Sequence, residues 1–531
     1  MNRPAIFPSL LRTRTPKDAY DNRYIIALTV TLASVLELID TSIVIVAVPH
    51  MMGSLGATLD EIAWVSTGYV VANVIVLPIS GWLSGQFGRR NYFALSILIF
   101  TLASIMCGTA TSLGGLVFWR IIQGLGGGGL ISTAQAGLYE IFPPKEVGTA
   151  MAIFGFGIMV GPTLGPTIGG YITDMFSWPW IFYINIPLGC FALLFTLTYL
   201  PDSRFEQPSA RVDYTGLLLL AAGIGALQLI LERGERQGWF ESSEIVVYVL
   251  VSTGSLAWFV QHELRESHPV VDLHILKDVQ FAASLLFTFV LGGVFYSTVF
   301  VLPVFMQTVL GYTAKETGLI LLPGALVTGI TMGVMGRVVG KISIDMRMWV
   351  VMGVCIFWSS MLLHSQLTGL SGNQDLFWPV LLRGLGLGMI FIPINNLALG
   401  NLSAAKVANG SGLYNLTRQL GGSVGIALSA TLFGHLQDLK RGELIQFVTQ
   451  YNDAAMARLA SLKTLWLFHG AQDLTAHKKA LLMLNSQVQG QAAVLSFEQL
   501  FIIFAFVLSL ALPSLFLIRR VQIANENDPM H

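Results

Sequence analysis

The feature that most limits what this chain can become is a series of apolar runs, each about as long as a bilayer is thick. A helix needs about 20 mostly apolar residues to cross a hydrocarbon core of about 30 Å. Fourteen windows meet that need, near residues 24–49, 62–84, 91–111, 114–139, 149–172, 180–200, 213–232, 245–262, 281–306, 314–336, 347–367, 376–400, 408–434 and 496–518. In lipid each segment must satisfy its own backbone polar groups, so these runs are expected to be helices. Composition agrees. Of 531 residues, 54% are apolar and 11% charged, against about 25% charged in a soluble domain, and the mean hydropathy is +0.67. The expected fold class is an all-α polytopic membrane protein.

The formal net charge is zero, which argues against a nucleic-acid partner, since that calls for a basic face. Cys107, Cys190 and Cys355 lie inside apolar runs without metal-ligand or disulfide spacing and read as packing residues, so no metal site is expected. Residues 1–23 are polar and basic, and the apolar run after them is too long for a signal-peptide core and lacks a small-residue cleavage site. It reads as a retained first span.

Lysines and arginines in short loops set orientation. With an even span count, one side carries Arg89, Arg90, Lys145, Arg204, Arg211, Arg265, Lys277, Arg337, Lys341, Arg347 and Lys406, plus seven tail cations. The other short loops carry three: Arg233, Arg236 and Lys315. Eighteen against three places both termini in the cytoplasm. One long loop, 435–495, falls outside, and its pattern predicts a structured helical hairpin.

The chain also repeats itself. Arg120-Ile-Ile-Gln-Gly124-Leu-Gly126 in span 4 is echoed by Arg383-Gly384-Leu-Gly386-Leu-Gly388 in span 12. The glycine-rich run from Gly161 to Gly170 in span 5 is echoed by Arg418-Gln-Leu-Gly421-Gly422 in span 13. Related halves around a central site are a transporter architecture. The expected organisation is an N-terminal tail, 1–23; a six-helix bundle, 24–200; two inserted spans with flanking segments, 201–280; a second six-helix bundle, 281–520, that includes the external loop 435–495; and a tail, 521–531.

Ionisable groups inside a membrane are costly and mark function. The deep ones are Glu37, Asp40, Arg120, Arg383 and Arg418. Glu37 and Asp40 stand three residues apart on one face of the first helix. A carboxylate such as Asp40 can load a proton in one state and release it in another. It can equally be a structural ion pair with Arg120, and a pair that breaks during a cycle is both. Glu37 reads as a substrate or proton contact or as a cavity wall. Arg383 and Arg418 shape the C-terminal half or pair with helix ends. Neither glycine-rich stretch that mimics a nucleotide motif qualifies. Gly124 to Gly129 lies mid-span without a βαβ unit, and Gly336 to Lys341 is one residue short and lacks the Ser or Thr. Gly161, Gly165 and Gly169 recur every four residues as a smooth face for close packing, while Pro162 and Pro166 soften the helix.

Taken in order, these motifs resemble the major facilitator superfamily, in its fourteen-span drug:proton antiporter branch (the EmrB/QacA group). Asp40-Thr-Ser-Ile-Val-Ile-Val-Ala-Val-Pro49 resembles that branch's helix 1 motif, with Ile45 where Asn is usual. Arg120, Gln123 and Gly124 match its helix 4 motif, and Gly161, Pro162, Gly165, Pro166, Gly169 and Gly170 its antiporter motif. The segment Trp178 to Gly189 fits as well. Gly81, Gly88, Arg89 and Arg90 keep the superfamily's loop after span 2, but Gly85 replaces its acidic residue, which puts the associated charge relay in doubt.

The resemblance implies two six-helix bundles with two inserted helices, in the bacterial inner membrane. It implies proton-coupled export of drugs or other amphipathic compounds by alternating access. Asp40, Arg120 and Glu37 would handle protons, with no cofactor and no enzymatic reaction. The loop at 435–495 and the segment Leu59 to Ser66 look like Gram-negative EmrB-type permeases, so a periplasmic adaptor and an outer-membrane channel are expected partners beside membrane lipid. An uncoupled facilitator or a lipid or fatty-acid exporter of the same fold is the alternative. Few buried acids against three buried arginines disfavour multivalent cations as cargo.

Overall fold

The computed structural model describes residues 20–143, 146–203, 212–267, 269–339 and 345–518. The expected tails, apart from positions 20–23, lie outside these residues, as do Lys145, Arg204, Arg211 and Lys341.

Every described element is helical or a connecting turn. The first half contains α1 (Arg23–Leu55), α2 (Leu59–Ile62), α3 (Trp64–Phe87), α4 (Arg89–Gly108), α5 (Leu113–Gly127), α6 (Leu130–Ile141), α7 (Val147–Met175), α8 (Trp180–Tyr183) and α9 (Asn185–Tyr199). Then come α10 (Tyr214–Arg233) and α11 (Ser243–Glu263). The second half contains α12 (Val279–Thr308), α13 (Ala314–Val338), α14 (Met346–His364), α15 (Asn373–Leu399), α16 (Ala404–Ile445), α17 (Asp453–Phe468) and α18 (Asp473–Leu510).

Local chemistry sets several boundaries. Ser112 accepts from the Gly115 N–H at the start of α5, and Asp278 accepts from two N–H groups at the start of α12. Thr313 and Glu316 form a reciprocal capping box on α13. Gly88 turns the chain from α3 into α4 at φ +85°, a conformation that disfavours any side chain.

The two halves pack by one scheme. In the first, α1 lies on α7, α3 on α5, and α4 on both α5 and α9. In the second, α12 lies on α16, α13 on α15, and α14 on both α15 and α18. The inserted α10 rests on α3 of one half and α16 of the other, outside their seam. Its partner α11 leaves Leu250 and Trp258 largely exposed, as a lipid-facing helix would.

All fourteen expected segments are occupied by helix. By length and apolarity, however, eleven helices suit a membrane crossing, or up to twelve if a pair bent by 41° within α7 is one span. Two expected spans fall outside that set. The fourth is broken at Gly128 and Gly129 into α5 and α6 rather than running unbroken from 114 to 139. A side chain at Gly128 would meet the Asn73 backbone and Val76, and one at Gly129 would meet the Tyr92 hydroxyl, so these two glycines let the chain pack closely on α3 and α4. The thirteenth, α16, carries Lys406 and Arg418 and runs on to Ile445. The external segment is helical, as its pattern predicts. The end of α16, α17 and the start of α18 form it, with Leu459, Leu462 and Ala480 packed between α17 and α18.

The bundles meet along two lines. One is α7 against α13, where Gly148 and Gly336 approach so closely that a methyl on either would strike the other's carbonyl oxygen. The other joins α3 and α6 to α16. Here Asn415 donates to Gln135 Oε1 at 2.7 Å and Ser411 to the Ser132 carbonyl at 3.1 Å. The Tyr139 hydroxyl reaches Asn395 at 2.9 Å and Asn396 at 3.0 Å of α15. Among the described residues, these are the hydrogen bonds joining bundle directly to bundle. They lie in the half of the molecule that carries the Arg89–Arg90 loop, so the structure is sealed at that end.

A bulky residue at Gly148 should pry this end open. In a background with the exposed Cys190 and Cys355 replaced by serine, Gly148→Val is expected to raise maleimide labelling of a cysteine placed at Ser132. Unchanged labelling would mean that the glycine contact does not hold the seal.

Candidate functional site

The middle of the first bundle holds a polar cluster wholly removed from solvent. Asp40 on α1 and Gln123 on α5 are 0% exposed and Arg120 is 1% exposed. An ion there needs an opposite charge and a full set of hydrogen bonds, because the surroundings return little of the lost hydration. Both needs are met. Arg120 Nη1 donates to Asp40 Oδ2 at 2.5 Å and to Gln123 Oε1 at 2.8 Å. Arg120 Nε donates to the Val65 carbonyl at 3.0 Å. Gln123 Nε2 returns a bond to Asp40 Oδ1 at 2.9 Å, and Asn185 Nδ2 donates to the same oxygen at 2.7 Å. The guanidinium also lies over the Tyr69 ring, 4.1 Å from its centre.

Each side chain arrives by simple helix geometry. Arg120 and Gln123, three residues apart, share a face of α5. Asn185 begins α9, just after the short α8 that contributes the Phe182 carbonyl to Ser104 at 2.9 Å. Ser104 in turn accepts from Asn185 at 3.0 Å and holds it toward Asp40.

Glu37, one turn back along α1, is 5% exposed. Asn73 Nδ2 donates to its Oε1 at 2.8 Å. Asn73 and Asn185 were not singled out by the sequence reading, although Asn185 lay within a quoted motif. An amide in mid-span is the signal that would have found them.

The other predicted residues divide into several groups. Gly161, Gly165 and Gly169 face α1 from Leu38 to Ile43, so the glycine stripe backs the part of the helix that carries Asp40. Gly170 has only Val46 near it. Pro162 and Pro166 lie inside α7, within the bent pair. Gly124 lets α5 approach the Tyr69 backbone. Gly81 lies against Ala408 and Asn409 of the second bundle.

Arg89 is buried and pairs with Glu140 of α6, which supplies a carboxylate where Gly85 has none. Arg90 donates to the Leu197 carbonyl at 2.5 Å. Arg383 and Arg418 make no ion pair or hydrogen bond among the described residues, so neither is held by a helix end there. His, Cys, Asp and Glu side chains form no group suited to a metal among the described residues.

Two similarly packed helical halves, the first with a buried charge pair in its middle, are the architecture of a multi-pass membrane transporter. The description Major Facilitator Superfamily matches residues 30–426, and the chain belongs to that family. It is 31% identical over 482 residues to the Multidrug export protein EmrB of Escherichia coli (strain K12), covering 90% of this chain and 91% of that protein. It is 34% identical over 433 residues to EmrB of Haemophilus influenzae, covering 81% and 84%. It is 31% identical over 477 residues to the Fatty acid resistance protein FarB of Neisseria gonorrhoeae, covering 90% and 92%. The crystal structure of the human organic anion transporter MFSD10 shares the fold, with a TM-score of 0.57 and 14% identity, over 91% of this chain and 99% of that one.

Breaking a buried pair from one side leaves an uncompensated charge. Arg120→Gln alone is expected to cost about 3–5 kcal/mol, and adding Asp40→Asn should recover part of that loss. Thermal unfolding of the purified single and double variants measures both. A double variant no more stable than Arg120→Gln would show that the charges are not coupled. Asn185→Leu, which removes one donor from Asp40, should cost about 1–3 kcal/mol in the same assay.

Proposed function

We propose that this chain is a proton-coupled efflux permease that exports amphipathic or hydrophobic small molecules by alternating access. The observation that carries the reading is the Asp40 carboxylate, fully buried and held by Arg120, Gln123 and Asn185. It is an acid whose partners come from three other points of the fold: α5, the α8–α9 junction and, through Arg120, the start of α3. A small shift of any one changes how well the charged form is held. Protonation of Asp40 would release Arg120, and rearrangement of Arg120 would favour protonation, so proton loading and helix movement become one event. Glu37, one turn away and open to a different set of neighbours, is the second proton group in this scheme.

The names of the relatives, which speak of multidrug export and of fatty acid resistance, support export of amphipathic compounds. The second of those names favours fatty acids as an alternative cargo for the same fold. The proposal places fourteen spans in the bacterial inner membrane with both tails in the cytoplasm. In this orientation the sealed end would face the cytoplasm. The external helices α17 and α18 with the end of α16 would meet a periplasmic adaptor that leads to an outer-membrane channel.

Proteoliposomes with an imposed pH gradient test the coupling. Wild-type protein should accumulate a fluorescent amphiphile against its gradient only when the proton gradient is present, and Asp40→Asn should lose accumulation while still exchanging cargo at equilibrium. Full gradient-driven accumulation by Asp40→Asn would end this reading and leave an uncoupled facilitator.

A further inference from the structure

The inserted pair α10 and α11 has no counterpart in the packing scheme that the two halves share, and it touches both halves. Its two sets of contacts differ in chemistry. Toward α16 of the second bundle they are hydrogen bonds. Gln228, 0% exposed, donates from Nε2 to Ser423 Oγ at 3.0 Å. Trp239, in the turn between α10 and α11, donates from its indole Nε1 to Thr431 Oγ1 at 3.1 Å. Toward α3 of the first bundle they are apolar packing and one ring contact. Val71 and Ile75 pack at Gly225, and the Arg233 guanidinium lies over the Trp64 ring, 4.8 Å from its centre. Arg233 is held at the same time by Glu244 of its own pair at 2.9 Å. Among the described residues, no hydrogen bond joins α10 or α11 to the first bundle.

In a membrane these two kinds of contact are not equally hard to give up. Lipid chains are as apolar as Val71 or Ile75, so lipid can take the place of that packing. A buried amide such as Gln228 finds no replacement partner in lipid, and breaking its bond strands polar atoms. The turn carries a further sign of a fixed joint. Trp239 sits at φ +55°, in the left-handed region that a bulky side chain rarely adopts, and such a conformation persists only where its surroundings over-determine it. Here they do. The Trp239 backbone N–H donates to the Gly234 carbonyl at 2.7 Å, its ring lies on Gly234, and its indole N–H is on Thr431. The chain connection points the same way. The segment after α11 lays Val270, Val271 and Ile275 into a buried cluster with Phe281 and Leu285 of α12, and Val74 and Leu77 of α3 join that cluster by apolar contact alone.

We propose that α10 and α11 are a mechanical part of the second bundle and move with it, while α3 of the first bundle slides along α10 during the transport cycle. The contact of Arg233 with Trp64 is the one that is made and broken, and Glu244 keeps the guanidinium in place when the ring leaves it. The pair lies along the outside of the seam between α3 and α16. Its turn reaches both helices at the end opposite the seal, where no described hydrogen bond joins α3 to α16 directly. A guard fixed to one side of an opening seam keeps lipid out of it at every stage. This assignment rests on the export reading above, because it requires the two bundles to move against each other.

Two reversible bridges separate the joint from the sliding contact. In full-length protein with Cys190 and Cys355 replaced by serine, one variant carries Trp239→Cys with Thr431→Cys and another Arg233→Cys with Trp64→Cys. Each pair is bridged by a short bis-methanethiosulfonate and released by dithiothreitol, and gradient-driven accumulation of a fluorescent amphiphile in proteoliposomes is read before, during and after bridging. The bridge to α16 should leave transport within about twofold, and the bridge to α3 should lower it by about tenfold or more until release. Equal transport through both bridges, equal loss through both, or a greater loss through the bridge to α16 would overturn this assignment and leave the export reading standing. Parent protein that transports nothing would overturn the export reading itself. A second measurement needs neither bridge. Nitroxides at the exposed positions Glu235 and His435 should keep one separation in pulsed electron resonance when Gly148→Val is introduced, whereas nitroxides at Glu235 and the exposed Asp60 should change theirs. A change in the first separation, or constancy of the second, would overturn the assignment as well.

Discussion

A carboxylate in the middle of a membrane bundle can stay charged only if the protein rebuilds around it what water would have supplied, and much of the first bundle is arranged to do so for Asp40. The acid sits on α1, its counter-charge on α5, and its amide donors on α5 and at the start of α9. The bonds run across helices rather than along one, so they fix how α1, α5 and α9 cross. The ring of Tyr69 closes one face of Arg120, and the Val65 carbonyl takes the donor that Asp40 cannot. A cluster in which both carboxylate oxygens are bonded is held in one protonation state and short of partners in the other. The same set of contacts can therefore organise the bundle and make it sensitive to one proton.

The glycines extend this constraint outward. Gly161, Gly165 and Gly169 bring α7 against the stretch of α1 that carries Asp40, where they make room for the Leu38, Ser42 and Ile43 side chains. Farther along, α7 meets α13 of the other bundle through Gly148 and Gly336. Helix α7 therefore touches both α1 and the other bundle, with its bend at Pro162 between the two contacts. Both inter-bundle lines use glycine for close approach, Gly148 and Gly336 on one, Gly81 against Ala408 and Gly412 against the Leu77 carbonyl on the other. The line through α6 adds hydrogen bonds, from Asn415 and Ser411 of α16 and from Tyr139 to α15, each of which water can replace.

Much of this was legible in the sequence, for physical reasons. Apolar runs of bilayer length announce helices because lipid allows little else, and the external hairpin showed in its own period. Asp40 and Arg120 stood out because a charge in such a run is rare. What could not be read was partnership across the chain. Nothing in the spacing of residues 120 and 185 says that Gln123 and Asn185 converge on one carboxylate oxygen. Nothing near Gly85 says that Arg89 will find Glu140, fifty-one residues away. The break at Gly128 and Gly129 was hidden because a glycine-rich stretch can continue a helix or end it. Arg383 and Arg418 were expected to shape the C-terminal half or to pair with helix ends, and among the described residues they bond to no helix end.

That last difference separates the two halves although their packing is alike. The repeat places an arginine at comparable points of the fourth spans, Arg120 and Arg383, yet only the first has an acid opposite it. The equivalent of Asp40 in the second half would lie on α12, where the membrane-embedded stretch from Phe281 to Met306 contains no acidic residue at all. The deep acids Glu37 and Asp40 therefore lie in the first bundle, while Arg383 and Arg418 of the second have no acidic partner among the described residues. Under the proposed coupling, the proton-handling carboxylates and the unpaired cations would stand on different bundles, so proton and cargo need not compete for the same side chain.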